Sequence, residues 1–216
     1  MLTNFYISFI LLSALAGIAV YFQKRSPLYL KLFPIFLFLA FAIEETGLWL
    51  AYRGEHTLML YNIFSTWEFV FYLWVLRQII RNPRIRSVLS QLLWIYPLVA
   101  LLNIFFVQRN NFHTITYSLG SLLIVIICVY YFFELFRLEH SIKLVRQPSF
   151  WICSGLLFYY CCSYPFFAVA NFWKNPSIRI LQEIQLIISI MNVLLYLSFT
   201  IGFLCRIKIR NFILSS

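Results

Sequence analysis

Two adjacent glutamates, Glu44 and Glu45, sit inside "FLAFAIEETGLWLAYRG", a run otherwise apolar enough for lipid. All seven acidic residues of the chain are glutamates, and four of them, Glu44, Glu45, Glu68 and Glu183, fall within long apolar stretches. A charged side chain near the middle of a bilayer costs about 2.5 kcal/mol or more, so intramembrane acids face a cavity or a partner and mark proton, ion or ligand sites. Polar residues recur beside them at helical spacing. Tyr61, Ser65, Glu68 and Tyr72 follow i, i+4, i+7 and i+11, and Gln182, Gln185, Ser189, Asn192 and Tyr196 follow i, i+3, i+7, i+10 and i+14, each a single stripe on a helix. Asn62, Asn103 and Asn171 add amides near the ends of their stretches. Such residues hold a proton or a small polar ligand, and they equally join membrane helices by hydrogen bonds of about 1 kcal/mol each.

The elements that must carry these stripes follow from composition. With 62% hydrophobic, 20% aromatic and 11% charged residues over 216 positions, the chain has too little polar surface to coat a soluble globule. A helix of 20 residues is about 30 Å long, the thickness of the hydrocarbon core. Seven runs of that order are expected as spans: Phe5 to Phe22, Leu30 to Tyr52, Leu58 to Ile80, Val88 to Val107, Ile115 to Phe136, Phe150 to Trp173 and Ile180 to Cys205. The breaks "QKRSP", "RGEHT", "RNPRIRS", "QRNNFHT", "RLEHSIKLVRQP" and "KNPSIR" hold residues that water tolerates and lipid does not. The reading is all-α: one polytopic domain over 1–216 with seven transmembrane helices and no soluble domain. Pro34, Pro97 and Pro165 are expected to kink three spans, and Ser13 with Gly17 makes a small-residue face on the first.

Charge placement sets direction. Lys24, Arg25, Lys31, Arg77, Arg81, Arg84, Arg86, Arg137, Lys143, Arg146, Arg206, Lys208 and Arg210 fall on one side, 13 in all, against Arg53, Arg109, Lys174 and Arg179, 4, on the other. The basic side is expected to be cytoplasmic, with the N-terminus outside. Topology thus accounts for the net charge of +10, and nucleic acid is not implied as a partner. "MLTN" lacks the basic n-region of a cleaved signal, so the first span is expected to stay. The five cysteines, within spans or at the basic boundary, read as small packing residues.

Counting inward at 1.5 Å per residue places Glu45 about 10 Å, Glu183 about 7 Å and Glu68 about 16 Å from the outer boundary. Neighbouring helical residues project about 100° apart, so of Glu44 and Glu45 one can face a polar interior while the other faces an adjacent helix. The expected site is therefore an acidic pocket in the outer half. Glu44, Glu45, Glu68 and Glu183 supply acids, Tyr61, Asn62, Gln185 and Asn192 polar contacts, and Arg53 and Arg179 possible ion-pair partners. Glu183 also has Arg179 four residues earlier for a surface pair, and Glu134, with Arg137 three residues on, is expected to form an interfacial ion pair.

Several chemistries are disfavoured. No lysine lies between Ile180 and Cys205 for a retinal Schiff base. No metal centre or cofactor is implied, because His56, His113 and His140 all fall in loops. "EETGLWLAYRG" faintly resembles the paired-glutamate motif of CAAX-processing membrane proteases, yet Arg53 is eight residues from Glu45 and the later histidine motifs are missing. A broader resemblance rests on "LYNIFSTWEFVFYLW", "QPSFWICSGLLFYY" and "IMNVLLYLSFTIGFLC". These are similar to uncharacterised bacterial seven-helix integral membrane proteins, members of which tend to be encoded beside sensor kinases and response regulators. The resemblance implies a bacterial cytoplasmic membrane, a sensory or accessory role and a membrane or cytoplasmic signalling protein as partner. Glu68 matches the recurring acid of the third-span pattern. Three functions remain: a sensor taking a small-molecule ligand from outside, a proton-coupled transporter or channel using Glu68 with Glu44 or Glu45, and, least favoured for want of a nucleophile or metal set, a lipid-active enzyme.

Overall fold

The computed structural model describes residues 2–22, 26–137, 144–169 and 177–214. Its helices are α1 (Leu2–Ile18), α2 (Leu28–Tyr52), α3 (Leu58–Ile79), α4 (Pro83–Leu102), α5 (Thr114–Phe136), α6 (Pro148–Val169) and α7 (Ile178–Leu214), with a π-helical turn over Asn103–Val107 and a 3-10 turn over Leu144–Arg146. No strand occurs among the described residues. Each expected span overlaps one helix: the first outruns α1 by four residues, the fourth takes in most of α4 and the π-helical turn, the sixth extends beyond Val169 outside the described residues, and α7 continues past Cys205 to Leu214. Five helices, α3 to α7, are long and apolar enough to cross a membrane. The apolar α1 is shorter, at 17 residues, and α2, at 25, carries Lys31, Glu44 and Glu45. Asn171, Trp173, Lys174, Glu139, His140, Lys143, Lys24 and Arg25 lie outside the described residues.

Local chemistry explains the ends. Past Tyr52, Gly54 takes φ +76°, a left-handed conformation that suits glycine, while its N–H donates to Ala51 O at 3.1 Å and that of Glu55 to Leu50 O at 3.0 Å. This double closure satisfies the last carbonyls of α2 and turns the chain into α3 within six residues. At the other face, Asn82 caps α4 by accepting from Arg84 N at 2.9 Å, and Pro83 fits the first helical position. Glu134 completes that cap. Its carboxylate accepts the backbone N–H of Asn82 at 2.9 Å and of Arg81 at 3.0 Å. The ion pair expected between Glu134 and Arg137 is not formed: two unpaired amides at a helix start are stronger partners than one solvated guanidinium, and Arg137 instead lies over the Phe133 ring, 4.1 Å from its centre.

α3 runs through the middle of the bundle. Phe69 meets Tyr96 of α4, Tyr117 of α5 and Tyr160 of α6, while Tyr72 meets Phe33 of α2, Tyr160 of α6 and Phe199 of α7. α1 packs between α2 and α7 and α6 between α5 and α7, while α3, flanked by α2, α4 and α5, turns one face into the interior and leaves its Ile63 and Trp67 face outside. Among the five membrane-length helices α3 is the least hydropathic and the most buried. Its polar side chains are thereby kept from lipid. Towards the Arg81 end the interior is filled by Phe33, Leu37, Leu73, Leu76, Phe199 and Phe203, all fully buried. Gly17 allows α1 to close on α2, since a Cβ there would meet the Pro34 ring at 2.6 Å. α2, α4 and α6 are helical across Pro34, Pro97 and Pro165.

Candidate functional site

The two glutamates of α2 part company. Glu44 turns inward, where its Oε2 accepts a 2.8 Å hydrogen bond from Tyr6 of α1 and a 3.3 Å bond from Tyr61 of α3. Glu45 turns outward and is exposed, in a shallow groove between α1 and α2 lined by Ile7, Leu11, Phe41 and Leu48. The 100° step between neighbours separates their roles.

Glu68 is half-buried near the middle of α3. Tyr72 is within hydrogen-bonding reach of it and Glu44 acts on it electrostatically, and it acts in turn on Tyr96, Tyr117, Tyr159, Tyr160 and Tyr196. Every helix thus contributes to one set of acids and phenols, α1 through Tyr6. Tyr159 is within hydrogen-bonding reach of Tyr117 and of Asn192 on α7. The hydroxyls of Tyr72 and Tyr160 are fully buried and make no hydrogen bond of standard geometry. Unpaired buried polar atoms are rare, and each calls for a partner. Among the described residues the one salt bridge is Arg179 with Glu183, at 3.2 Å on the exposed surface of α7. No basic side chain is among the groups acting on Glu68.

The remaining candidates divide by helix face. Gln182 and Gln185 are exposed at the start of α7, whereas Ser189 and Tyr196 are buried and Asn192 is half-buried further along. The stripe therefore enters the bundle only from Ser189, about three turns into α7. Arg53 is exposed and stacks on Trp49, its guanidinium carbon 3.8 Å from the ring centre. Arg53, Arg179, Glu183 and Glu45 are not brought to the Glu44–Glu68 network.

Asn62 is buried but faces away from Glu68, toward the α4–α5 connection. Its Oδ1 accepts the His113 N–H at 3.2 Å, and its Nδ2 donates to Asn111 O at 3.3 Å. His113, which the sequence places in a loop, is fully buried, with Nε2 2.6 Å from Ser65 Oγ and Nδ1 2.7 Å from Thr116 Oγ1. Asn103 Nδ2 donates to that Thr116 oxygen at 3.1 Å and to Gln108 Oε1 at 2.8 Å. Burial pushes the His113 imidazole down to about 4, so it is neutral at pH 7. Loop position hid this residue, and the hydroxyls and amides around it are the signal that a buried polar cluster was due. Tyr6 carries no such signal, because one tyrosine in an apolar run has no spacing to betray it.

No protein-family model, curated protein or solved structure matches the chain. What the site can do rests on its own geometry. An open cleft of about 490 Å³, lined by Glu55, His56, Thr57, Leu58, Tyr61, Phe112 and Phe167, lies at the Arg53 end, and Tyr61 joins it to Glu44. Among the described residues no three His, Cys, Asp or Glu side chains gather as a metal would need.

Tyr61 is also held from behind by Gly47. A Cβ at Gly47 would collide with the Tyr61 hydroxyl and lie 2.8 Å from its Cζ. Gly47→Ala is expected to displace the ring, break its bond to Glu44 and lower stability by about 1–3 kcal/mol, as overpacked positions do. Thermal unfolding in detergent checks this, and in a Tyr61→Ala background the penalty should nearly vanish.

Proposed function

We propose that the chain is a multi-pass sensor or ligand-binding accessory protein of a bacterial cytoplasmic membrane, with seven spans, its N-terminus outside and its basic side cytoplasmic. Its inner acids take a small cationic ligand from the outer face, and the change in helix packing passes to a membrane or cytoplasmic signalling protein. The observation that carries this reading is Glu68: a carboxylate with no basic neighbour, within hydrogen-bonding reach of Tyr72 and beside the fully buried, unpartnered hydroxyl of Tyr160. A cation supplies the missing charge, its N–H groups or its hydration supply the missing hydrogen bonds, and aromatic faces favour it further. The cleft at Tyr61 supports entry from the Arg53 side. Because α3 touches α2, α4, α5, α6 and α7 through Phe69 and Tyr72, occupancy beside it is felt by most of the bundle.

Transport is the second reading, and the fully buried aromatic and aliphatic filling at the Arg81 end weighs against it. Ethylammonium and acetate serve as probes of opposite charge. Ethylammonium is expected to raise the unfolding midpoint of the purified protein, acetate to leave it unchanged, and Glu68→Gln to abolish the difference. In reconstituted vesicles proton flux should stay at background. Flux that disappears in Glu68→Gln would replace sensing with transport, and equal effects of the two probes would remove the cation site.

A further inference from the structure

A groove of about 620 Å³ runs between α3 and α4 on the outside of the bundle, lined by Trp67, Val70, Trp74, Leu93, Trp94 and Pro97 and bordered by Leu32 of α2. On α3 the stripe Ile63, Thr66, Val70 and Trp74 continues at the next helical step to Arg77, and on α4 the stripe Leu101, Pro97 and Leu93 continues to Ser90 and Arg86. The two stripes meet where Arg77 Nε donates to Ser90 Oγ at 2.6 Å, which holds the half-buried Arg77 guanidinium at the end of the two stripes. Arg81 and Arg86 are exposed at that same end. We propose that this groove binds an anionic phospholipid, its acyl chain along the three tryptophans and its phosphate on Arg77 and Arg86.

Length, lining and charge agree on this occupant. Ile63 to Trp74 spans about 16 Å, close to the hydrocarbon depth of a single leaflet. The charge at its mouth is of the sign that attracts anionic headgroups, and basic sites between helices bind them selectively. A second copy of the chain is a poorer fit. Helix-to-helix contacts in membranes use small residues for close approach, whereas Trp67 and Trp94 stand out from this surface at 42% and 83% exposure.

Three of the six tryptophans line the groove, so the site reports on itself. In the full chain in detergent, brominated phosphatidylglycerol is expected to quench tryptophan fluorescence at a mole fraction at least about fivefold below that needed for brominated phosphatidylcholine, the selectivity of one well-placed arginine or more. Arg77→Gln with Arg86→Gln should bring the two curves together. Trp67→Phe with Trp94→Phe, which keeps an aromatic ring where Trp67 stacks on Phe36 and Phe71, should remove most of the selective component and provides the test if the arginine pair does not fold. Equal quenching by the two lipids in the unaltered protein would overturn the proposal. So would selectivity that outlives either pair of substitutions, or a dimer whose tryptophans neither lipid reaches.

Discussion

His113→Ala is expected to lower stability by about 2–4 kcal/mol at neutral pH, a large effect for a residue in a connection, read as the unfolding midpoint in detergent. The ring makes both of its hydrogen bonds inside the protein, to Ser65 of α3 and Thr116 of α5. Ser65 Oγ also lies 2.6 Å from Tyr61 O, and its single proton serves that carbonyl, so Nε2 carries the hydrogen and Nδ1 accepts from Thr116. Removing the ring leaves a buried hole and breaks the link between α3 and the α4–α5 connection. The same burial gives stability a pH dependence of definite sign. In the unfolded chain His113 titrates near 6.5, while in the folded chain it resists protonation down to about 4. Above pH 6.5 both states hold it neutral and it contributes no slope. Between 6.5 and 4 the unfolded chain gains a proton that the folded chain refuses, so stability falls as pH falls, by up to about 1.4 kcal/mol per unit, and levels off below 4. His113→Ala should show a shallower fall across that window. An unchanged slope would mean that His113 is not held neutral.

The helices were legible because apolar runs of bilayer length between charged breaks admit few alternatives, and "RGEHT" and "RNP" announce the closures made by Gly54 and by Asn82 with Pro83. The partition of polar residues was legible only in part. Helical spacing brings Ser65, Glu68 and Tyr72 into line and separates Glu44 from Glu45, but it does not say which face is inside. Gln185 and Asn192 share one stripe and differ in exposure, because α7 meets its neighbours only beyond its first turns. Partners distant in sequence stayed hidden. Tyr6 and Glu44 are 38 residues apart and Ser65 and His113 are 48, and nothing local encodes either meeting. Proximity along its helix pairs Glu134 with Arg137, whereas the chain delivers two unsatisfied amides to it from 52 and 53 residues away.

Replacing Glu44 and Glu68 singly and together tests whether the acids form one site. Glu68→Gln is expected to weaken ethylammonium binding at least about tenfold, the equivalent of roughly 1.4 kcal/mol for one lost charge-assisted contact. Glu44→Gln should cost less, about threefold, because Tyr6 and Tyr61 already share its carboxylate. The two groups act on each other electrostatically, so each sets the field in which the other meets a cation. The double variant should therefore fall short of the product of the two losses, with a coupling of about 0.5–1 kcal/mol, as expected of residues in one network. Tyr61→Phe, which frees one lone pair on Glu44, should shift that coupling without touching Glu68. Losses that simply add, to within about 0.3 kcal/mol, would separate the acids into independent groups and leave Glu68 to act alone with its ring of phenols.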